Sequence, residues 1–169
     1  MCSPGGRDEA DGNEPVILIL GIGNPLLTDD GAGLAALRTL QEMLPERDDV
    51  EFLDGGTLSF TLAVPIAGCE ALIVLDAATV GGPPGSVQCF EGEDMDRFLN
   101  AHGKASVHEV GLNDLMSIAR LGDGWPARRA LIGVQPLSFE WGESPSPAVA
   151  AAIPVMCEHA LQLVARWRA

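Results

Sequence analysis

Three aspartates follow apolar, strand-like runs, and one histidine stands in a later polar segment; such groups could hold a cation or move a proton. Val16 to Leu20 leads into Gly21-Ile22-Gly23-Asn24 and then Asp29-Asp30. Val50 to Leu53 leads into Asp54-Gly55-Gly56-Thr57, and Ala71 to Leu75 ends on Asp76. If these runs are parallel strands of one sheet, Asp30, Asp54 and Asp76 gather at its carboxyl edge, where open α/β sheets bind ligands. Carboxylates there are costly unless they are paired or metal-bound. Carboxylate oxygens with one imidazole, that of His108, suit a borderline or hard divalent ion and leave positions open for a substrate. The imidazole must be neutral to bind. Asp29 has a different expectation: it precedes a helix, and aspartate is a preferred helix cap.

Other chemistries fit less well. Gly21-Ile22-Gly23 after a strand starts like a dinucleotide fingerprint, and Asp54 stands where a ribose-binding acid could. The third glycine position is Leu26, however, and Asp29-Asp30 would repel a pyrophosphate at the helix start. No HExxH helix is present, so an ordinary zinc-protease arrangement is not indicated. No GxSxG elbow or Cys–His signature supports covalent acyl transfer. Cys2, Cys69, Cys89 and Cys157 form no CxxC pair and read as reduced, packed thiols. His102 and His159 read as surface histidines.

The elements that must position the acids follow from periodicity. Leu34, Leu37, Leu40 and Leu44 recur at helical spacing, which predicts a helix over 31–44 that Pro45 and the charges after it end. A second strand spans 50–53, and Thr57 or Ser59 can cap a short helix reaching Ala67. A third strand over 71–75 precedes the turn-forming Gly81-Gly82-Pro83-Pro84-Gly85. Residues 86–90 form a more polar strand, suited to an edge and to antiparallel pairing. Helices are predicted over 94–100 and 111–121, and a fifth strand over 129–134. The last helix starts at Pro147 with Ser146 as cap, and Val149, Ile153, Met156, Ala160, Val164 and Trp167 mark its buried stripe. Pro154 within it removes one ladder hydrogen bond and predicts a kink. The expected architecture is a three-layer α/β/α sandwich around a mostly parallel sheet of about five strands.

Length and charge bound the rest. A chain of 169 residues, 47% hydrophobic, is one domain with a real core. Residues 1–14 lack an apolar signal region and are expected to be a flexible leader, with a single domain over 15–169. No uninterrupted apolar run reaches the ~18 residues of a membrane span, so no membrane insertion is expected. A formal charge of −14 argues against a nucleic-acid partner and permits a basic protein partner. The reduced thiols point to a cytoplasmic protein.

Five ordered segments carry a resemblance to a known family. Gly21-Ile22-Gly23-Asn24-Pro25-Leu26-Leu27-Thr28-Asp29-Asp30-Gly31-Ala32-Gly33 resembles the opening signature of the hydrogenase maturation endopeptidases. Leu53-Asp54-Gly55-Gly56-Thr57, Leu75-Asp76-Ala77, His108-Glu109-Val110-Gly111-Leu112 and Gly133-Val134-Gln135-Pro136 are similar to later segments of that family, in the same order. The resemblance implies a hydrolase that clips a C-terminal extension from the large-subunit precursor of nickel–iron hydrogenase after nickel insertion. It places metal contact on Asp30, Asp76 and His108, and the nickel is that of the substrate, with no tightly bound cofactor of the protein's own. The position of Asp30 holds Glu or Asp in the family, so the arm here is the shorter one. Asp54 is the candidate general base by position, and Gly55, Gly56 and Thr57 are candidate substrate-positioning residues, since glycines allow close approach of a peptide backbone. The alternatives are a non-catalytic nickel-binding checkpoint or chaperone, and a nucleotide-binding oxidoreductase.

Overall fold

The computed structural model describes residues 16–102 and 111–169. The expected leader and His108 lie outside the described residues. The elements run β1 (Ile17–Ile22), α1 (Ala32–Met43), β2 (Val50–Gly56), α2 (Ala63–Gly68), β3 (Ala71–Ala77), β4 (Val87–Glu91), α3 (Glu93–His102), α4 (Leu112–Leu121), β5 (Arg128–Val134) and α5 (Pro147–Arg168). Short 3₁₀ turns over Thr28–Gly31 and Phe60–Leu62 lead into α1 and α2.

The sheet order is β2-β1-β3-β5-β4. Four strands are parallel, and β4 closes one edge antiparallel to β5, as its polar sequence predicts. Side chains alternate between the two faces. Ile17, Ile19, Ile73, Leu75, Ala130 and Ile132 pack on one side with α1 and α5. Leu18, Leu20, Leu72, Val74 and Leu131 pack on the other, against residues of α2, α3 and α4. This is the expected three-layer sandwich. Because β2 and β3 flank β1 on opposite sides, the strand order reverses between β1 and β3. A crevice opens at such a switch point.

The helix after β1 lies unusually close to the sheet. A Cβ on Gly33 would stand 2.2 Å from the Leu75 carbonyl oxygen and 2.5 Å from that of Ile22. The close helix–strand approach that Leu26 does not permit at its own position is therefore supplied seven positions later, by a glycine inside α1.

The last helix differs from expectation at its N-terminus. Ser146 is its N-cap residue but makes no capping hydrogen bond. The helix is continuous through Pro154, which lies on the solvent side where a missing ladder bond is readily tolerated. α5 is long and apolar enough to cross a bilayer by length and composition alone. Here Val149, Met156, Cys157, Ala160 and Val164 are buried against the sheet, so its apolar character belongs to the core.

Candidate active site

The carboxyl ends of β1 and β3 place two carboxylates in one cleft of about 720 Å³, lined by Gly23, Asn24, Leu27, Asp30, Gly56 to Phe60 and Asp76. Asp76 is the penultimate residue of β3, opposite Gly133 of β5. Asp30 comes from the 3₁₀ turn that joins β1 to α1. A Cβ on Gly23 would fall 1.8 Å from the Asp30 carbonyl oxygen, so only glycine lets this turn fold back over the strand end. The turn is fixed from the other side by the Asn24 N–H, which donates to Asp30 Oδ2 at 2.9 Å.

Burial pushes the Asp76 carboxyl well above the ordinary range, and the charge of Asp30 pushes it further. Among the described residues, no ion pair neutralises either carboxylate. Two neighbouring acids without an ion-pair partner among the described residues are a pair that could hold a divalent ion. No group of three or more His, Cys, Asp or Glu side chains suited to a metal occurs among the described residues. Asp30 and Asp76 could supply two ligands to such an ion, its remaining positions being filled by other groups.

Asp54 reaches the same sheet edge, paired in register with Gly21, but its side chain is exposed and does not line the cleft. Its Oδ1 accepts the Gly56 N–H at 2.9 Å. Gly56 adopts φ +49°, and its carbonyl accepts the Gly23 N–H at 2.8 Å. Asp54 therefore shapes the turn that brings Gly56 and Thr57 to the cleft wall. Gly55 faces inward, where a Cβ would crowd Leu20 Cδ1 at 2.9 Å and Ile22 Cγ2 at 3.0 Å. A side chain at 55 would have to displace these two side chains of β1, while Gly56 and Thr57 are the members of this motif that line the cleft.

Asp29 corrects its expected role. It caps no helix. Its fully buried carboxylate accepts the N–H groups of Leu137, Ser138 and Ser146 at 2.8, 3.0 and 2.6 Å, and the Ser146 hydroxyl at 2.9 Å. Burial alone would raise this carboxyl; the hydrogen bonds outweigh it and hold the group below the usual range. Ser146 was expected to cap α5, and its hydroxyl serves Asp29 instead.

The cleft also contains residues whose place there is not evident from sequence: Asn24, Leu27, Leu58, Ser59 and Phe60. A large aromatic so soon after a Gly-Gly-Thr turn was the available signal for Phe60, which is exposed. Cys69 and Cys89 are half-buried, raised to about 11 by burial, and absent from the cleft. His102 is exposed and His159 half-buried, and neither lines the cleft.

The hydrogenase maturation protease family model matches residues 34–163. The hydrogenase expression/formation protein HupD of Thiocapsa roseopersicina is 35% identical over 92% of this chain and 70% of its own length. The hydrogenase 2 maturation protease of Escherichia coli K12 is 34% identical over 86% of this chain and 88% of its own. Among solved structures, the hydrogenase maturating endopeptidase HybD of Escherichia coli superimposes with TM-score 0.80 at 34% identity, covering 89% of this chain and 93% of that one. The HybD maturation protease of Thermococcus kodakarensis gives TM-score 0.69 at 29% identity over 88% and 98%. The chain belongs to the hydrogenase maturation protease family, a family of hydrolases.

Proposed function

We propose that this member of the hydrogenase maturation protease family removes the C-terminal extension of a nickel–iron hydrogenase large-subunit precursor in the cytoplasm, after nickel has been inserted. The observation that carries this reading is the pair Asp30 and Asp76, brought together at the β1/β3 switch point with no ion-pair partner among the described residues. Nickel already fixed in the precursor completes its coordination on these carboxylates. His108 is assigned as the third protein ligand by the family resemblance; it lies outside the described residues.

Binding free energy at the site is then available to the loaded precursor and withheld from the empty one, so the metal acts as a selectivity element. In the same position it can polarise the scissile carbonyl or activate a water, both established uses of a divalent ion. The protein's share is to place the peptide. Gly56 and Thr57 form one wall, held by the Asp54 turn, and Leu58 and Phe60 provide apolar surface beside it. Asp54 is assigned to positioning rather than to proton transfer, because its carboxylate accepts from Gly56 and stands outside the cleft lining.

The test is processing of one precursor in two states. The nickel-loaded form should be shortened completely, as read by intact mass, at an enzyme concentration that leaves the nickel-free form uncut. Equal cleavage of both in the presence of a chelator would remove the nickel-reading mechanism. A precursor bound but never shortened would favour a non-catalytic checkpoint instead.

A further inference from the structure

One exposed apolar surface adjoins the cleft without belonging to it. Between β5 and α5, Leu137, Phe139 and Trp141 are 63%, 52% and 81% exposed, and Leu26 of the facing turn is 48% exposed. None of these four lines the cleft. Large apolar side chains grouped on one surface loop mark an interaction site more often than chance exposure.

The backbone under them is held firmly. Asp29 ties down Leu137, Ser138 and Ser146. The Thr28 hydroxyl donates to the Ser138 carbonyl at 2.7 Å, and the Thr28 N–H donates to the Gly142 carbonyl at 2.8 Å. The Gly142 N–H returns to the Leu26 carbonyl at 2.9 Å. A loop that presents Phe139 and Trp141 to water on so fixed a frame loses little further freedom when something covers it. Leu27 connects this frame to the catalytic region, since it lines the cleft and bridges to Gly142.

We infer that Leu26, Leu137, Phe139 and Trp141 form a docking surface for the folded body of the hydrogenase precursor, whose C-terminal extension enters the adjoining cleft. The inference rests on the function proposed above. Continuity through Leu27 favours the same substrate protein, and the position outside the cleft lining favours its body over the extension. Glu140 and Glu143 flank the aromatics and are exposed, on a chain of net charge −14. The matching surface on the precursor is therefore an apolar depression bordered by basic side chains. Tryptophan and phenylalanine are the kind of anchors that dominate such contacts.

The test compares wild type, the double variant Phe139→Ala/Trp141→Ala, Trp141→Phe, and Leu121→Ala as an exposed apolar control on α4, away from the cleft lining. Processing of nickel-loaded precursor should show KM raised about tenfold in the double variant with kcat nearly unchanged. Trp141→Phe should retain most of the wild-type KM, and Leu121→Ala should match wild type, with thermal unfolding alike in all four. Unchanged KM in the double variant would overturn the docking surface and leave the peptidase reading intact. Direct binding of loaded precursor to Asp76→Ala, with and without the patch substitutions, separates the two ideas. Patch-dependent binding without cutting by wild type would sustain the surface and defeat the peptidase reading. A wild-type dimer that the double variant loses would assign the patch to self-association and overturn the inference.

Discussion

Asp29 and Asp30 are neighbours in the chain, yet they belong to two regions with opposite electrostatic designs. Asp29 is fully buried and is met by three backbone N–H groups and a serine hydroxyl, so its negative charge is satisfied inside the protein. Asp30 faces the cleft beside Asp76, and among the described residues neither has an ion-pair partner. A carboxylate whose donors are all supplied by the fold is an anchor. A pair with no ion-pair partner among the described residues suits the cation proposed above to arrive with the substrate. The difference lies in the donors around each acid, not in residue type or depth along the sequence.

That contrast can be broken at either end. The largest effect is expected in the cleft: Asp30→Ala or Asp76→Ala should lower processing of loaded precursor by on the order of a thousandfold, several kcal/mol of barrier. For Asp76→Ala, thermal unfolding should not fall with it, whereas Asp30→Ala also loses the bond from the Asn24 N–H. Asp76 has its carboxyl raised in the fold, so its contribution to stability is present below the ordinary unfolded value near 4 and is lost as pH rises through the folded value. Asp76→Asn should therefore be no less stable than wild type at neutral pH, as calorimetry would show. A variant that unfolds easily would mean the acid is structural.

The anchor should behave in the reverse sense. Asp29→Ala strands buried N–H groups and should lose on the order of 3 kcal/mol of unfolding free energy in denaturant titrations. The sign with pH follows from its lowered carboxyl. Its stabilisation is fully present above about 4 and declines as pH falls through the lower folded value. The stability gap between wild type and Asp29→Asn should accordingly narrow on acidification. A gap that widens would contradict the anchor role.

The smallest effect is expected at Asp54. An exposed carboxylate accepting one turn N–H contributes within about 1 kcal/mol, so Asp54→Ala should reduce processing only several-fold, mainly through KM. A loss as deep as that of Asp76→Ala would restore it as a general base.

The fold was largely legible because its signals are local. Apolar runs gave the four parallel strands of the described sheet, and the more polar run at 86–90 predicted both the edge position and the antiparallel direction of β4. The acids at strand ends were legible for the same reason, since strand direction alone determines which end they reach. What escaped was set by contacts between distant segments. Asp29 reads locally as a cap, and its partners are more than a hundred residues away. Ser146 reads as a cap and serves Asp29. Gly55 and Gly56 read alike, although one faces the Leu20 side chain and the other the cleft. The close approach of α1 depends on Gly33 meeting the carbonyls of Ile22 and Leu75, which no spacing within the turn could reveal.

The central claim is that the cleft carboxylates bind the nickel of the precursor. It is tested most directly by nickel X-ray absorption on loaded precursor, alone and in complex with the protein slowed by cold or by a substitution at the cut site. The account predicts added oxygen scattering at about 2.0–2.2 Å in the complex, diminished when Asp76→Asn replaces wild type. A nickel shell identical in free and bound precursor, under conditions where binding is complete, would contradict it.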